Sequence, residues 1–326
     1  DMPLATQTRT VTPTTEEQVI TGDDGYTLTS VTVEAVTKDI DSNIQSGNIK
    51  SGVSILGVEG VLEGNKLPDV LNKTVTSLTA GDFIGVIQIP SYAFQNCINL
   101  TSVEFSSILQ TIGSYAFRDC SSLTSDFGEN SQLTSIGEYA FASCSRLTEV
   151  DLSNCTSLKA IGSSAFRDCS GLTSVDLSGC TSLTSIGDSA FWYCSGLTGE
   201  LNLGGCTSLT SIGSNAFGYC SGLTGELDFS NCTSLTSIGR NAFYDCSGLT
   251  SITLPSSLTS IGSQAFRNCT SLTTMRVEAT TPPTLSNTNA ISTATTRIEV
   301  PMASVDAYKA ATNWSNFADI IVGYTE

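Results

Sequence analysis

A β-rich repeat solenoid is the fold class this sequence predicts, with a small β module ahead of it and a helix-containing cap behind it. Three observations carry that prediction. The phrase Ala-Phe-x-x-Cys recurs eight times in 326 residues, with Phe at 94, 117, 141, 166, 191, 217, 243 and 266. Successive copies lie 23 to 26 residues apart, a spacing typical of stacked repeats. Each copy is flanked by short apolar runs that alternate with polar residues, as Val175-Asp176-Leu177 does.

Residues 1–64 stand outside the repeat and are expected to form a small β-rich module. Thr10-Val11-Thr12-Pro13 and Ser30-Val31-Thr32-Val33-Glu34-Ala35-Val36 alternate with period two, and Gly22-Asp23-Asp24-Gly25 is a turn signal between them. Asn48 to Gly60, with Val11 to Gln18 upstream, is similar to pieces of phage tail-associated proteins and of some gut-bacterial surface proteins. Two roles stand open for this module: an attachment or spacer unit, or a polar cap over the first repeat.

The solenoid is expected over 65–277, with 65–85 as a degenerate first repeat and Ile87-Gln88-Ile89-Pro90 where later units have Ser-Ile-Gly. The unit reads most cleanly from Ile161-Gly162-Ser163-Ser164-Ala165-Phe166-Arg167-Asp168-Cys169 to Leu172-Thr173-Ser174-Val175-Asp176-Leu177. Val175 and Leu177 face one way along a short strand and Asp176 the other. Ala165 and Phe166 pack inward, and Gly162 marks a corner where a Cβ is resisted. One unit cannot bury its own apolar face; stacking buries a continuous core. Eight strands at ~4.7 Å make a sheet roughly 35–40 Å long. This unit resembles the leucine-rich repeats of the BspA-like family of bacterial and protozoan surface proteins. The resemblance covers about residues 88–322 and implies surface display and adhesion, without a fixed ligand site.

The cap is expected over 278–326. Pro282-Pro283-Thr284-Leu285, Ile298-Glu299-Val300-Pro301 and Ser304 to Trp314 resemble that family's ending. Ser304 is placed to N-cap a short helix from Val305 to about Thr312. Tyr308, Trp314 and Phe317 are expected to cover the open apolar end.

Composition narrows the chemistry. Asp plus Glu number 31 against 14 Lys plus Arg, a formal net charge of −17. Such a chain repels phosphate backbones and anionic lipid, so charge-driven binding to nucleic acid or membrane is excluded. There is no histidine, which removes Ser-His-Asp and Cys-His mechanisms, His metal sites and the commonest general base. No run approaches the ~18 apolar residues of a membrane helix. Asp1-Met2-Pro3-Leu4 shows neither a basic nor an apolar leader region, so no signal peptide is expected there. The residues from Ile321 to Glu326 show no wall-sorting or lipid-anchor motif.

The twelve cysteines fall into two periodic sets. Cys97, Cys120, Cys144, Cys169, Cys194, Cys220, Cys246 and Cys269 end the repeated phrase, and Cys155, Cys180, Cys206 and Cys232 belong to the longer middle repeats. Stacked columns of buried free thiols are one reading. Cross-repeat disulfides are the other, since Cα atoms ~4.8 Å apart lie within bridging range, although parallel Cβ vectors disfavour them. No metal is expected, for want of paired Cys-x-x-Cys knuckles or histidines.

The exposed strand position supplies the candidate binding residues. It reads Glu104, Asp126, Asp151, Asp176, Asn202, Asp228, Thr253 and Arg276. In register these form an acidic row that can receive a basic partner or weakly hold Ca²⁺; equally, they can be a solvated face that keeps the solenoid soluble. Trp192, Tyr193, Tyr219 and Tyr244 decorate an outer edge and can stack on sugars or simply line that edge. No catalytic residue or cofactor is expected. The acidic residues recur with the repeat, the serines lack a base, and the Ser195–Glu200 and Ser221–Glu226 turns lack a phosphate loop's context. Together with what the resemblance implies, the expectation is a non-catalytic bacterial surface or secreted protein that binds extracellular protein or glycan. The alternative is a phage tail-associated receptor binder in the virion, docked through residues 1–64.

Overall fold

The structure is a computed structural model and describes residues 5–11, 26–33, 73–83, 86–124, 127 and 130–325. The expected turn at Gly22–Gly25 and the Asn48–Gly60 segment lie outside the described residues. Ala5–Val11 and Tyr26–Val33 pair in parallel, with a register shift between Gln7 and Thr8.

From Lys73 onward every described strand pairing is parallel. One side of the coil is a nine-stranded sheet of two-residue strands, running in chain order from Gln88–Ile89 to Thr284–Leu285. Each strand offers a Ser, Thr, Ala or Gln outward and buries one apolar residue, as Ser185–Ile186 and Ser211–Ile212 do opposite one another. A second side carries the pair Glu149–Asp151 with Ser174–Asp176, and a five-stranded sheet from Gly225–Asp228 to Ile321–Tyr324. Ser77–Leu78 pairs with Ser102–Val103, so the ladder begins ahead of the first Ala-Phe-x-x-Cys phrase.

The third side is the Ala-Phe-x-x-Cys segment, which is neither helix nor strand. The residue before Ala and the residue before Cys both hold positive φ in each of the eight copies, for instance Ser164 (56°) and Asp168 (59°). A non-glycine residue there costs roughly 1–2 kcal/mol. The return is a hydrogen-bond ladder to the next repeat: Ser164 N–H donates to Asp188 O, Phe166 N–H to Ala190 O and Asp168 N–H to Trp192 O, each at 2.8 Å.

The core is a column of phenylalanines. Phe94, Phe117, Phe141, Phe166, Phe191, Phe217, Phe243 and Phe266 stack with centroids 5.0 to 5.5 Å apart and planes within 10°. Stacked pairs add about 0.5–1.5 kcal/mol each beyond their buried area. Phe127 and Phe229 meet this column edge-on. Gly162 serves by lacking a side chain where repeats touch, since an added Cβ would lie 2.6 Å from the carbonyl carbon of Gly137. Two threonine ladders pin the coils externally, as where Thr210 Oγ1 donates to Thr184 O at 2.8 Å and Thr173 Oγ1 to Thr148 O at 2.9 Å.

At the C-terminal end both sheets continue past residue 278, through Thr284–Leu285, Arg297–Pro301 and Ile321–Tyr324. The helix is Val305–Ala310, shorter than expected, and the Ser304 side chain makes no cap hydrogen bond. Ser304 is buried instead. Tyr308 and Trp314 are fully buried over the last coil; Tyr308 Oη donates to Ala279 O and Trp314 Nε1 to Pro283 O, both at 2.7 Å. Phe317 packs partly buried beside them.

Candidate functional site

The acidic row divides in the structure. Asp151 and Asp176 lie directly opposite one another on paired strands, and Asn202 follows through an isolated bridge to Asp176. Asp228 belongs to the five-stranded sheet, where its register leads to Thr253, Arg276 and then Glu299. Thr253 is buried and donates from Oγ1 to Glu226 Oε1 at 2.9 Å. Arg276 does not end the row: it lies 4.0 Å from both Glu278 and Glu299, with its guanidinium carbon 3.8 Å from the Tyr324 ring centroid. Glu104 sits on the separate two-stranded ladder, its carboxylate 3.5 Å from the Ala80 N–H. Asp126 lies outside the described residues.

Local chemistry explains why Asp and Asn recur in this row. Oδ1 of Asp151 accepts from the Ser153 N–H at 2.9 Å, that of Asp176 from Ser178 at 2.8 Å, and that of Asp228 from Ser230 at 2.8 Å. Asn202 does the same for Gly204 at 3.0 Å. These are Asx turns, which need a side-chain oxygen two residues before the N–H and no charge. The turn uses one oxygen and leaves the second carboxylate oxygen of each Asp without a hydrogen bond among the described residues.

All twelve cysteines are free thiols and buried. In the first column each thiol from Cys120 onward donates to the preceding repeat's phenylalanine carbonyl, as Cys169 does to Phe141 O and Cys194 to Phe166 O, both at 3.1 Å. The second column uses the leucine carbonyl, with Cys180 Sγ 3.3 Å from Leu152 O. Burial pushes the Cys169 and Cys220 thiols from their ordinary 9.0 up to about 12, and holds those of Cys144, Cys194 and Cys246 well above it. These thiols are packing elements and not nucleophiles.

The Ala-Phe-x-x-Cys side is where the repeats differ most from one another. Tyr92, Tyr115 and Tyr139 stack at 4.9 and 5.0 Å, a ladder the sequence reading missed. Arg118 lies against it, 5.7 Å from the Tyr115 centroid and 5.8 Å from that of Tyr139. The periodic Tyr-Ala-Phe at 92, 115 and 139 was the available signal. Further along, Tyr193 and Tyr219 stack at 4.4 Å, Trp192 meets Tyr219 edge-on at 4.9 Å, and Tyr244 leans on Tyr219 at 5.3 Å. Stacked rings turn their faces toward each other, so the tyrosine ladders present edges and hydroxyls outward and are poor platforms for sugar stacking.

No curated protein matches the chain. Among solved structures it is similar to a leucine rich cell surface protein from Faecalibacterium prausnitzii, at 20% identity over 98% of this chain and 88% of that one, with a TM-score of 0.43. It is also similar to the pneumococcal vaccine antigen PcpA, at 18% identity over 99% and 90%, TM-score 0.38. A third is a leucine rich repeat protein of T. pallidum, at 20% identity over 72% and 76%, TM-score 0.36. The BspA type leucine rich repeat region matches in six copies over residues 87–224 and 200–306, two thirds of the length, and the Phe column, both thiol columns and the nine-stranded parallel sheet fall inside it. The chain belongs to the BspA-type leucine-rich repeat family.

Proposed function

We propose that this chain is a non-catalytic binding protein displayed at a bacterial surface, which uses the outer face of its solenoid to hold an extracellular protein or glycan. Family membership supports surface display. The observation that carries a basic partner is the pair Asp151 and Asp176, in direct register on neighbouring strands with one carboxylate oxygen each left unbonded. Like charges so placed repel, and a cationic partner relieves them. Asp228 extends the acidic face on the next sheet, and Glu104, on the separate two-stranded ladder, and Asp126 belong to the same proposal.

Asn202 shows the test that leaves the fold alone. Replacing Asp151 and Asp176 with Asn keeps both Asx turns and removes both charges. The chain is screened against basic extracellular-matrix proteins, mucins and bacterial wall polymers at low and physiological salt. Salt-sensitive capture of a basic protein that falls severalfold in Asp151→Asn/Asp176→Asn, with Tm unchanged or raised, is the expected result. Capture that ignores the double substitution removes the acidic row from the mechanism, and capture of wall polymers alone favours the tail-associated alternative.

A further inference from the structure

The repeated side chain after Phe is large in most coils: Gln95, Arg118, Arg167, Trp192, Tyr244 and Arg267. It is small in two, Ala142 and Gly218. The Gly218 gap is filled, because the Trp192 indole lies across it with Cζ3 2.5 Å from where a Cβ would stand. The gap at Ala142 holds no ring. A notch of about 330 Å³ is lined there by Tyr115, Arg118, Tyr139, Ser143, Arg167 and Asp168, with Ala142 buried at its floor.

The polar groups around this cavity come as paired donors and acceptors. Arg118 Nε lies 3.2 Å from Asp119 Oδ2, and Arg167 Nε 3.2 Å from Asp168 Oδ2. Each pair leaves the guanidinium's terminal nitrogens and the second carboxylate oxygen without a hydrogen bond among the described residues. Asp119, Ser143 and Asp168 all hold positive φ (61°, 61° and 59°), so the backbone fixes where these side chains start. Two guanidinium charges are balanced by Asp119 and Asp168, and Glu138 beside Tyr139 adds a further negative charge. The site therefore offers no net attraction to an anion, inside a chain of formal charge −17.

We infer that this notch is a subsite for one neutral sugar residue of a glycan, with Arg167, Asp168 and Ser143 bonding adjacent ring hydroxyls and Tyr115 and Tyr139 meeting the C–H surface. Fixed neighbouring donors and acceptors match a pair of vicinal hydroxyls, and a shallow, mixed wall matches a ring that is polar at its rim and apolar at its centre. The inference shares with the proposed function only the premise that the chain binds a ligand. Its electrostatics are the opposite of the acidic row's: a neutral sugar's affinity is insensitive to salt, whereas a basic partner's is not.

The test titrates the full chain with the methyl glycosides of glucose, galactose, mannose and N-acetylglucosamine, and with glucuronate, by saturation-transfer NMR. At least one neutral glycoside is expected to saturate with Kd on the order of millimolar, as suits about a dozen heavy atoms in a shallow site. That Kd is expected to hold steady between low and high salt, with glucuronate binding more weakly. Arg167→Gln is expected to weaken binding about tenfold. Ser143→Tyr is expected to abolish it by filling the notch, and it places there the residue that the same position carries as Tyr193 and Tyr219, so the coil tolerates it. Asp151→Asn/Asp176→Asn is expected to leave sugar binding unchanged, which separates this site from the acidic row. Absence of saturation by every neutral glycoside, preference for glucuronate, or parental affinity in either notch variant would overturn the inference.

Discussion

At Gly218 an added Cβ would stand 2.5 Å from Cζ3 of Trp192, whereas at Gly162 it would stand 2.6 Å from the carbonyl carbon of Gly137. The two positions differ in what must give way. An indole at the surface can swing aside; the main chain of the neighbouring coil cannot without breaking its ladder. Gly218→Ala is therefore expected to displace Trp192, lose its edge contact with Tyr219 and cost about 1 kcal/mol. A red-shifted tryptophan emission with a modest fall in Tm is the readout, and unshifted emission would contradict it. Single residues were legible in proportion to their periodicity. Phe166 and Cys169 declared their burial because eight copies repeat them, Leu177 because its position is apolar in all eight, and Tyr308 and Trp314 by following the last repeat. The task of Asp176 was not legible, since an Asx turn and a ligand site both ask for a carboxylate at an exposed strand end.

The two thiol columns behave as elements, because each member after the first donates to the coil before it and all twelve are buried. Burial raises Cys120, Cys155, Cys169, Cys206, Cys220, Cys232 and Cys269 from 9.0 to about 12. The unfolded chain releases these protons near pH 9 while the folded chain keeps them, so the folded state holds more protons through that window. Stability is then complete below about pH 9 and is lost as pH climbs toward 12, by up to ~1.4 kcal/mol per pH unit for each thiol. Denaturation midpoints measured from pH 8 to 11 should fall steeply above 9. Replacing Cys169, Cys194 and Cys220 with Ala should flatten that fall even though it lowers stability at pH 8, and an unaltered slope would rule the thiols out as its cause. The Ala-Phe-x-x-Cys element was half legible. Inward packing of Ala and Phe followed from their size and recurrence, but paired left-handed residues did not, because Tyr, Ser, Gln and Asp stand where glycine would have signalled them. The Asn or Asp before Cys at 96, 119, 168, 245 and 268 was the trace available, as these residues tolerate that conformation best.

At the scale of the whole molecule, among the described residues from Lys73 onward the backbone ladders join each coil to its neighbours. Repetition made this scale the most legible: a fixed period of 23 to 26 residues leaves stacking as the one way to bury eight identical apolar faces. The cap was legible in its aromatic residues and not in its strands, since Arg297–Pro301 and Ile321–Tyr324 lack the repeat's phrase yet extend its sheet by shape alone. The hydrogen bonds between coils, such as Phe166 N–H to Ala190 O, run along the stacking axis and not across it. That direction has a mechanical consequence. Tension applied to the two ends loads these bonds one coil after another, so the molecule opens like a zip instead of resisting in shear. Each coil of 23 to 26 residues then frees roughly 80 Å of chain at a time. A protein built this way lengthens in small, repeated steps under load, and a pulling trace should show a low, regular sawtooth in place of one tall rupture.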